Sequence, residues 1–179
     1  MTNILILSGS PSVISRSSAI ANYLKRSLVK EGHQVSELTI RELPAEALLH
    51  AHFKDPVIQA AQKLVEKADS IIVVSPVYKA SYPGLLKSFF DLIPEKGLTD
   101  KKVLSIATGG TIAHLLSLEY AFKPLFSVLG AKEIPQGVYI VDSQFSYSGD
   151  KLTFLDPEIE ERLLDAVQEF VGPLQKNRA

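Results

Sequence analysis

The chain contains no cysteine and no tryptophan, and this absence removes several kinds of site at once. A chain without cysteine forms no disulfide, no thiolate metal site, no iron–sulfur cluster and no cysteine nucleophile. Long hydrophobic runs are also missing, because stretches such as 71–74 are far too short to cross a bilayer. The N-terminus has no basic start and meets Gly9 and Pro11 early, unlike a signal peptide. We therefore expect a cytoplasmic protein that does not bind a membrane.

An excess of charge of one sign is equally absent. Lys and Arg number 19 and Asp and Glu number 20, which gives a net charge of −1. A protein that binds nucleic acid through its phosphates normally carries a basic excess, so that class of partner is not expected. The 179 residues are 46% hydrophobic and 22% charged, which is ordinary for a folded globule and enough for one core. We expect a single domain over 1–179.

Short apolar runs alternate with longer segments of helical period along the chain. Parallel strands joined by helical crossovers, with helices on both faces of the sheet, account for this alternation. Five strands in fewer than 180 residues favour a doubly wound α/β sheet of flavodoxin-like order 2-1-3-4-5. The predicted strands are 4–7, 34–40, 70–75, 102–107 and 131–141, and the predicted helices are 17–31, 55–67, 84–93, 113–129 and 157–170, with a short helix or irregular turn at 43–52.

The carboxyl ends of strands 1, 3 and 4 lead into three unusual loops, and open α/β sheets bind ligands at that edge. The loop 9–18 is rich in serine and leads into a helix N-terminus beside Arg16, an arrangement that favours an anion. It matches neither a Walker A loop nor a GxGxxG motif, so it predicts a site for one phosphate monoester. Simple N-capping by Ser15 or Ser17 explains the same serines without a ligand.

Of the other two loops, one carries aromatic side chains and one is rich in glycine. Tyr78 and Tyr82 lie at the mouth of the third strand, where a planar ring can pack against Pro76 and Val77, although an aromatic oligomer interface is an alternative. The turn 108–111 contains paired glycines, which leave backbone amides free to meet a polar heterocycle or simply reverse the chain. His114 follows that turn, and a structural role is favoured over a catalytic one.

Three segments together resemble the NADPH-dependent FMN reductase family, specifically its alkanesulfonate-type members. They are GSPSVISRSS at 9–18, SPVYKASYPGLLKSFFD at 75–91 and ATGGTIAHLLSLEYAFKP at 107–124. The resemblance implies that FMN and NADPH are bound, that the phosphate lies at 10–18, and that the ring system lies between the other two loops. The implied flavin-binding residues are Ser10, Ser12, Ser15, Arg16, Ser17, Ser18, Pro76, Val77, Tyr78, Lys79, Thr108, Gly109, Gly110 and Thr111.

One position departs from the family pattern. Ser12 stands where many relatives have arginine, so Arg16 is expected to carry the phosphate charge alone and flavin retention to be weak. Hydride transfer between nicotinamide and flavin is chemistry of the cofactors, so no catalytic side chain and no metal are expected.

The family resemblance implies a reductase that supplies reduced FMN to a partner monooxygenase in alkanesulfonate sulfur assimilation. An enzyme that retains FMN and reduces a quinone or azo dye would use the same loops. A flavodoxin-like electron carrier is a further alternative, which the net charge of −1 disfavours. A homodimer or homotetramer is implied, with Tyr120 as a candidate subunit contact in a helix that ends before Pro124. The polar segment 143–153 fits a lid, an interface arm or a loop.

Overall fold

The computed structural model describes residues 2–148 and 151–172, and a five-stranded parallel sheet in the order β2-β1-β3-β4-β5 forms its centre. These strands are β1 (Asn3–Ser8), β2 (Gln34–Thr39), β3 (Ser70–Pro76), β4 (Lys102–Gly109) and β5 (Val138–Val141). The helices are α1 (Arg16–Lys30), α2 (Ala45–Leu49), α3 (Pro56–Lys67), α4 (Gly84–Phe90), α5 (Lys123–Val128) and α6 (Pro157–Val171). The predicted flavodoxin-like order is therefore confirmed.

Both faces of the sheet are buried, which explains why its strands are almost continuously apolar. In β1, Leu5 and Leu7 face a core formed with α2 to α5, whereas Ile4 and Ile6 face a second core formed with α1 and α6. Successive side chains of a strand point to opposite faces, so each aliphatic residue of the run has a core to enter. Among the described residues, no helix is both long and apolar enough to cross a membrane.

Strand β5 is shorter than the predicted span 131–141. Residues 131–137 make only isolated bridges, from Ala131 to Thr99 and from Glu133 to Lys102, and regular pairing with β4 begins at Val138. Pro135 has no amide hydrogen, so it cannot contribute a donor to a continuous ladder. The strand prediction was correct in place and wrong in length.

The segment 113–129 is not the single helix that its periodicity suggests. It comprises a 3-10 turn at Ile112–His114, a π-helical turn at Leu118–Phe122 and then α5. Pro124 lies in the first turn of α5, where a missing amide hydrogen costs nothing, so the helix does not end before it. That expectation was wrong because proline is accepted at the start of a helix as readily as it ends one.

The polar segment 143–153 is largely a hairpin rather than a loop. Strands β6 (Phe145–Ser148) and β7 (Lys151–Phe154) pair antiparallel, while 149 and 150 lie outside the described residues. Phe145 is buried and the Phe154 ring packs edge-on against Tyr23 of α1 at 5.4 Å. Alternate apolar residues pack the hairpin against the α1–α6 face. The polar residues between them made this strand pattern hard to predict from the sequence.

Tyr23 also joins α1 to α6 by a hydrogen bond, and this bond generates a pH prediction. Its hydroxyl donates to Glu160 Oε1 at 2.8 Å, and burial followed by that carboxylate raises the pKa of Tyr23 to about 12. The free energy of unfolding should be intact below pH 10 and should fall between pH 10 and 12, because the unfolded chain loses this proton first. Urea unfolding at several pH values across that range measures how steeply the free energy of unfolding falls with pH.

The matched variant is Tyr23→Phe, which keeps the ring and removes the proton. It should lower the free energy of unfolding by about 1 kcal/mol at neutral pH. It should also reduce the fall of that free energy between pH 10 and 12. An unchanged alkaline slope in Tyr23→Phe would show that other groups cause it.

Candidate functional site

The loop after β1 places a cluster of serine hydroxyls at the N-terminus of α1. Ser15 is the N-cap, and its Oγ accepts from the Ser18 amide at 3.1 Å and lies 2.8 Å from Ser18 Oγ. Ser17 Oγ lies 3.2 Å from the same cap oxygen, and the buried Ser10 Oγ accepts from the Ser12 amide at 3.1 Å. Capping is therefore real, yet it satisfies only one of the first amides of the helix.

Arg16 is the first residue of α1 and brings a cation to the same place. Its Nε lies 3.6 Å from Asp142 Oδ1, and its guanidinium carbon lies 5.8 Å from the centre of the Tyr147 ring. Arg41 contacts the loop from another side, because its Nε donates to the Pro11 carbonyl at 3.1 Å. The cluster of hydroxyls, amides and guanidinium is a donor set suited to an anion.

The loop after β3 contains a tight two-residue turn. Tyr78 and Ser81 exchange backbone hydrogen bonds at 2.7 and 3.1 Å, and between them Lys79 and Ala80 have φ of 51° and 64°. Left-handed backbone is costly for residues with a Cβ, and such positions concentrate at functional sites. The Val77 amide donates to the Thr108 carbonyl at 2.8 Å, so this turn is fixed against the neighbouring loop.

The loop after β4 depends on Tyr139 of β5. The Tyr139 hydroxyl donates to the Thr111 carbonyl at 2.9 Å, and it passes so close to Gly109 that a Cβ there would overlap it. Burial, and then the charge of Asp142, raises the pKa of Tyr139. Gly109 is thus required for close packing. The turn that follows it is fixed by the hydrogen bond from the Tyr139 hydroxyl.

These three loops surround one cavity of about 260 Å³ at the carboxyl edge of the sheet. Its lining contains eleven of the residues expected from the sequence: Ser10, Ser12, Ser15, Arg16, Ser17, Pro76, Val77, Tyr78, Thr108, Gly109 and Gly110. Ser18, Lys79 and Thr111 are not among the lining residues, although each is next to one that is. Ile14, Asp142 and Tyr147 complete it.

The composition of the cavity fits a planar phosphate ester. Its lining combines serine hydroxyls, the α1 N-terminus and Arg16 with Val77, Tyr78 and two glycines. Tyr78 is 47% exposed, so a ring beside it would remain accessible to a second ring. Hydride transfer between two flat molecules requires that kind of access, because the two rings must be in contact.

Sequence reasoning missed Asp142 and Tyr147. Both follow β5, whose carboxyl end meets the same edge as the three loops, since Val141 pairs with Gly109. The rule that selected the other loops therefore applied to Asp142 as well. Tyr147 had no comparable signal, because its approach to Arg16 depends on how the β6–β7 hairpin folds.

A larger cavity of about 550 Å³ lies elsewhere, between α3 and the segment before β4. Its lining includes Glu66, Thr99 and Lys101, which precede β3 and β4 and so mark the amino edge of the sheet. Lys101 Nζ donates to the carbonyls of Glu66 and Ala68, and thereby caps the C-terminus of α3. This cavity shares no residue with the three loops.

Known proteins resemble this chain over most of its length. The model of the NADPH-dependent FMN reductase family matches residues 2–146. An FMN reductase (NADPH) of Pseudomonas putida is 46% identical over 93% of this chain and 85% of its own length. An FMN reductase (NADPH) of Escherichia coli is 40% identical over 97% of this chain and 90% of its own length. A solved structure of an NADH:FMN oxidoreductase (EMOB, apo form) superposes with a TM-score of 0.85 at 34% identity, covering 95% of this chain and 88% of that one.

The strained turn at 79–80 generates a stability prediction. Ala80→Gly should raise the free energy of unfolding by about 1 kcal/mol, because glycine adopts the left-handed conformation without steric cost. The matched control is Ala60→Gly on the exposed side of α3, where the same change should cost about 1 kcal/mol. Urea unfolding of both variants measures the two changes in the free energy of unfolding. Destabilisation by Ala80→Gly would show that the turn carries no strain.

Proposed function

Because the chain belongs to the NADPH-dependent FMN reductase family, we propose that it reduces FMN as a substrate and releases it to a partner monooxygenase. The chain is an NAD(P)H-dependent oxidoreductase that uses FMN and NADPH. Release of the flavin, its delivery in alkanesulfonate sulfur assimilation, action of 1–179 as one FMN-binding domain and a cytoplasmic location are our proposals. They follow from the resemblance of the three loops to the alkanesulfonate-type reductases.

The observation that carries the proposed site is the convergence of the loops after β1, β3 and β4 on one cavity. We assign the flavin phosphate to the serine cluster and Arg16 at the N-terminus of α1. The ring system is assigned to the space between the Val77–Tyr78 backbone and the Gly109–Gly110 turn. The serine hydroxyls, the helix N-terminus and Arg16 favour an anion, and the Val77–Tyr78 segment favours a flat ring.

The residues of the chain bind and orient rather than take part in bond making. The bound cofactors supply the hydride chemistry themselves. We assign to the backbone amides of the 108–111 turn the role of donating hydrogen bonds to a polar ring edge. Tyr139 fixes that turn through its hydrogen bond to the Thr111 carbonyl. The half-exposed Tyr78 leaves one side of the ring position open for the nicotinamide. Two rings held in contact gain the rate advantage of proximity.

Weak retention is supported by the charges in the site. Arg16 is the only cationic side chain among the residues that line the cavity in the described part of the chain. Ser12, where the family resemblance leads us to expect arginine, supplies a hydroxyl and no charge. A flavin held by one exposed cation and neutral donors dissociates more readily than one held by two cations.

A titration of NADPH oxidation against free FMN tests the proposal, using flavin-stripped protein with oxygen as the final acceptor. Many turnovers that saturate only when FMN far exceeds one molecule per subunit would support a flavin that leaves reduced. A ceiling at one FMN per subunit, with the rate rising only when a quinone or azo dye is added, would instead indicate a retained cofactor. An electron carrier would show no sustained NADPH oxidation in either arm.

We also propose self-association as a homodimer or homotetramer through the segment between β4 and α5. Apolar side chains are exposed along it beside the cavity, and the Tyr120 side chain is 79% exposed: Ile112, Leu115, Leu116 and Tyr120. A cluster of exposed apolar residues of this kind is typical of a protein interface.

Sedimentation of the purified chain measures this self-association. Tyr120→Ser combined with Leu116→Ser should shift the protein toward monomer, because both changes remove apolar area from the proposed contact. The control Val29→Ser removes an exposed apolar side chain from the distant end of α1 and should leave the assembly intact. A monomeric wild-type chain would contradict the proposal.

A further inference from the structure

We propose that Asp142 limits the affinity of the cavity for phosphorylated flavin by acting as an internal counter-ion of Arg16. The inference rests on the proposed function, because it takes the serine cluster and Arg16 as the phosphate site. It adds a residue that sets how tightly the flavin is held.

The charges of the cavity support this role. Of the fourteen residues that line it in the described part of the chain, Arg16 and Asp142 are the only two with a full charge. Their charges cancel, so the side chains present a net charge of zero to an arriving phosphate. The remaining attraction comes from neutral hydroxyls and from the amides at the N-terminus of α1.

The geometry of the pair makes it exchangeable. Arg16 Nε and Asp142 Oδ1 are 3.6 Å apart, and the two side chains are 45% and 34% exposed. An ion pair of that length and exposure contributes little to stability, so a phosphate can displace the carboxylate from the guanidinium at small cost. The guanidinium carbon of Arg16 also lies 5.8 Å from the centre of the Tyr147 ring, within the range of a cation–π contact.

The backbone that carries Asp142 is held at the site by the fold. Val141 pairs with Gly109 in the sheet, and its amide donates to Gln144 Oε1 at 2.8 Å. Gln144 Nε2 in turn donates to Asp156 Oδ2 at 3.2 Å, at the start of α6. Asp142 lies between these two anchored residues. An arriving phosphate must therefore displace this carboxylate from the Arg16 guanidinium.

The test is the dissociation constant of oxidised FMN, measured by flavin fluorescence at low ionic strength, for Asp142→Asn. The substitution keeps the shape and removes the charge, so we expect an affinity for FMN about fivefold higher, equivalent to about 1 kcal/mol. Riboflavin, which lacks the phosphate, should bind both proteins equally. The gain for FMN should shrink as salt is added, because screening weakens the charge interaction.

Asp91→Asn is the matched control. It also neutralises one aspartate of an exposed ion pair, with Lys87, but far from the cavity at the end of α4. It should change the affinity for neither flavin. Unfolding midpoints confirm that each variant is folded, and Asp142→Ser repeats the test if the asparagine variant is unstable.

Arg16→Ala separates failure of this inference from failure of the proposed site. If the phosphate lies at Arg16, this variant should lose affinity for FMN and keep its affinity for riboflavin, and most of the Asp142→Asn gain should vanish in its background. Equal effects of Arg16→Ala on both flavins would overturn the phosphate assignment. A selective loss in Arg16→Ala with no gain in Asp142→Asn would overturn the role of Asp142 alone. Weaker binding of both flavins by Asp142→Asn would show that the carboxylate accepts a hydrogen bond from the shared ribityl chain instead.

Discussion

Parallel pairing of β1, β3 and β4 brings three loops to one edge of the sheet, because every strand of a parallel sheet ends on the same side. The pairing joins Ser8 to Val74 and Pro76 to Thr108, so the loops begin within a strand spacing of each other. The close approach of Tyr139 to Gly109 then fixes the third loop from the next strand. The candidate site would not exist without this register, since each loop alone offers a turn or a helix cap and no cavity.

The cavity is bordered by rigid backbone, and the charges of its side chains cancel. The proposed ring position lies beside strained or closely packed backbone, at Lys79, Ala80 and Gly109, whereas the proposed phosphate position has one cation with a carboxylate beside it. Rigid backbone positions a flat ligand, and under the proposed assignment the cancelled charges of Arg16 and Asp142 keep the ligand exchangeable. A reductase whose flavin is a substrate needs both properties, while an enzyme that retains its flavin needs mainly the first.

Asp142 and Tyr147 show how residues from a neighbouring element change the binding properties expected of a sequence motif. The serine-rich loop with Arg16 indicates an anion site when it is considered alone. In the folded chain the same arginine contacts a carboxylate from the end of β5 and an aromatic ring from the β6–β7 hairpin. Those contacts come from residues more than 120 positions away, so their effect on ligand affinity depends on the tertiary fold.

The sequence by itself determined the order of elements, the sheet order and the identity of three loops at the carboxyl edge. It did so because apolar periodicity and crossover connections are local or nearly local properties. The tertiary structure alone decided the short β5, the broken helix before α5, the hairpin at 145–154 and the carboxylate beside Arg16. Each of these depends on a long-range contact or on a backbone choice that several local patterns allow, and only packing of the whole chain selects among them.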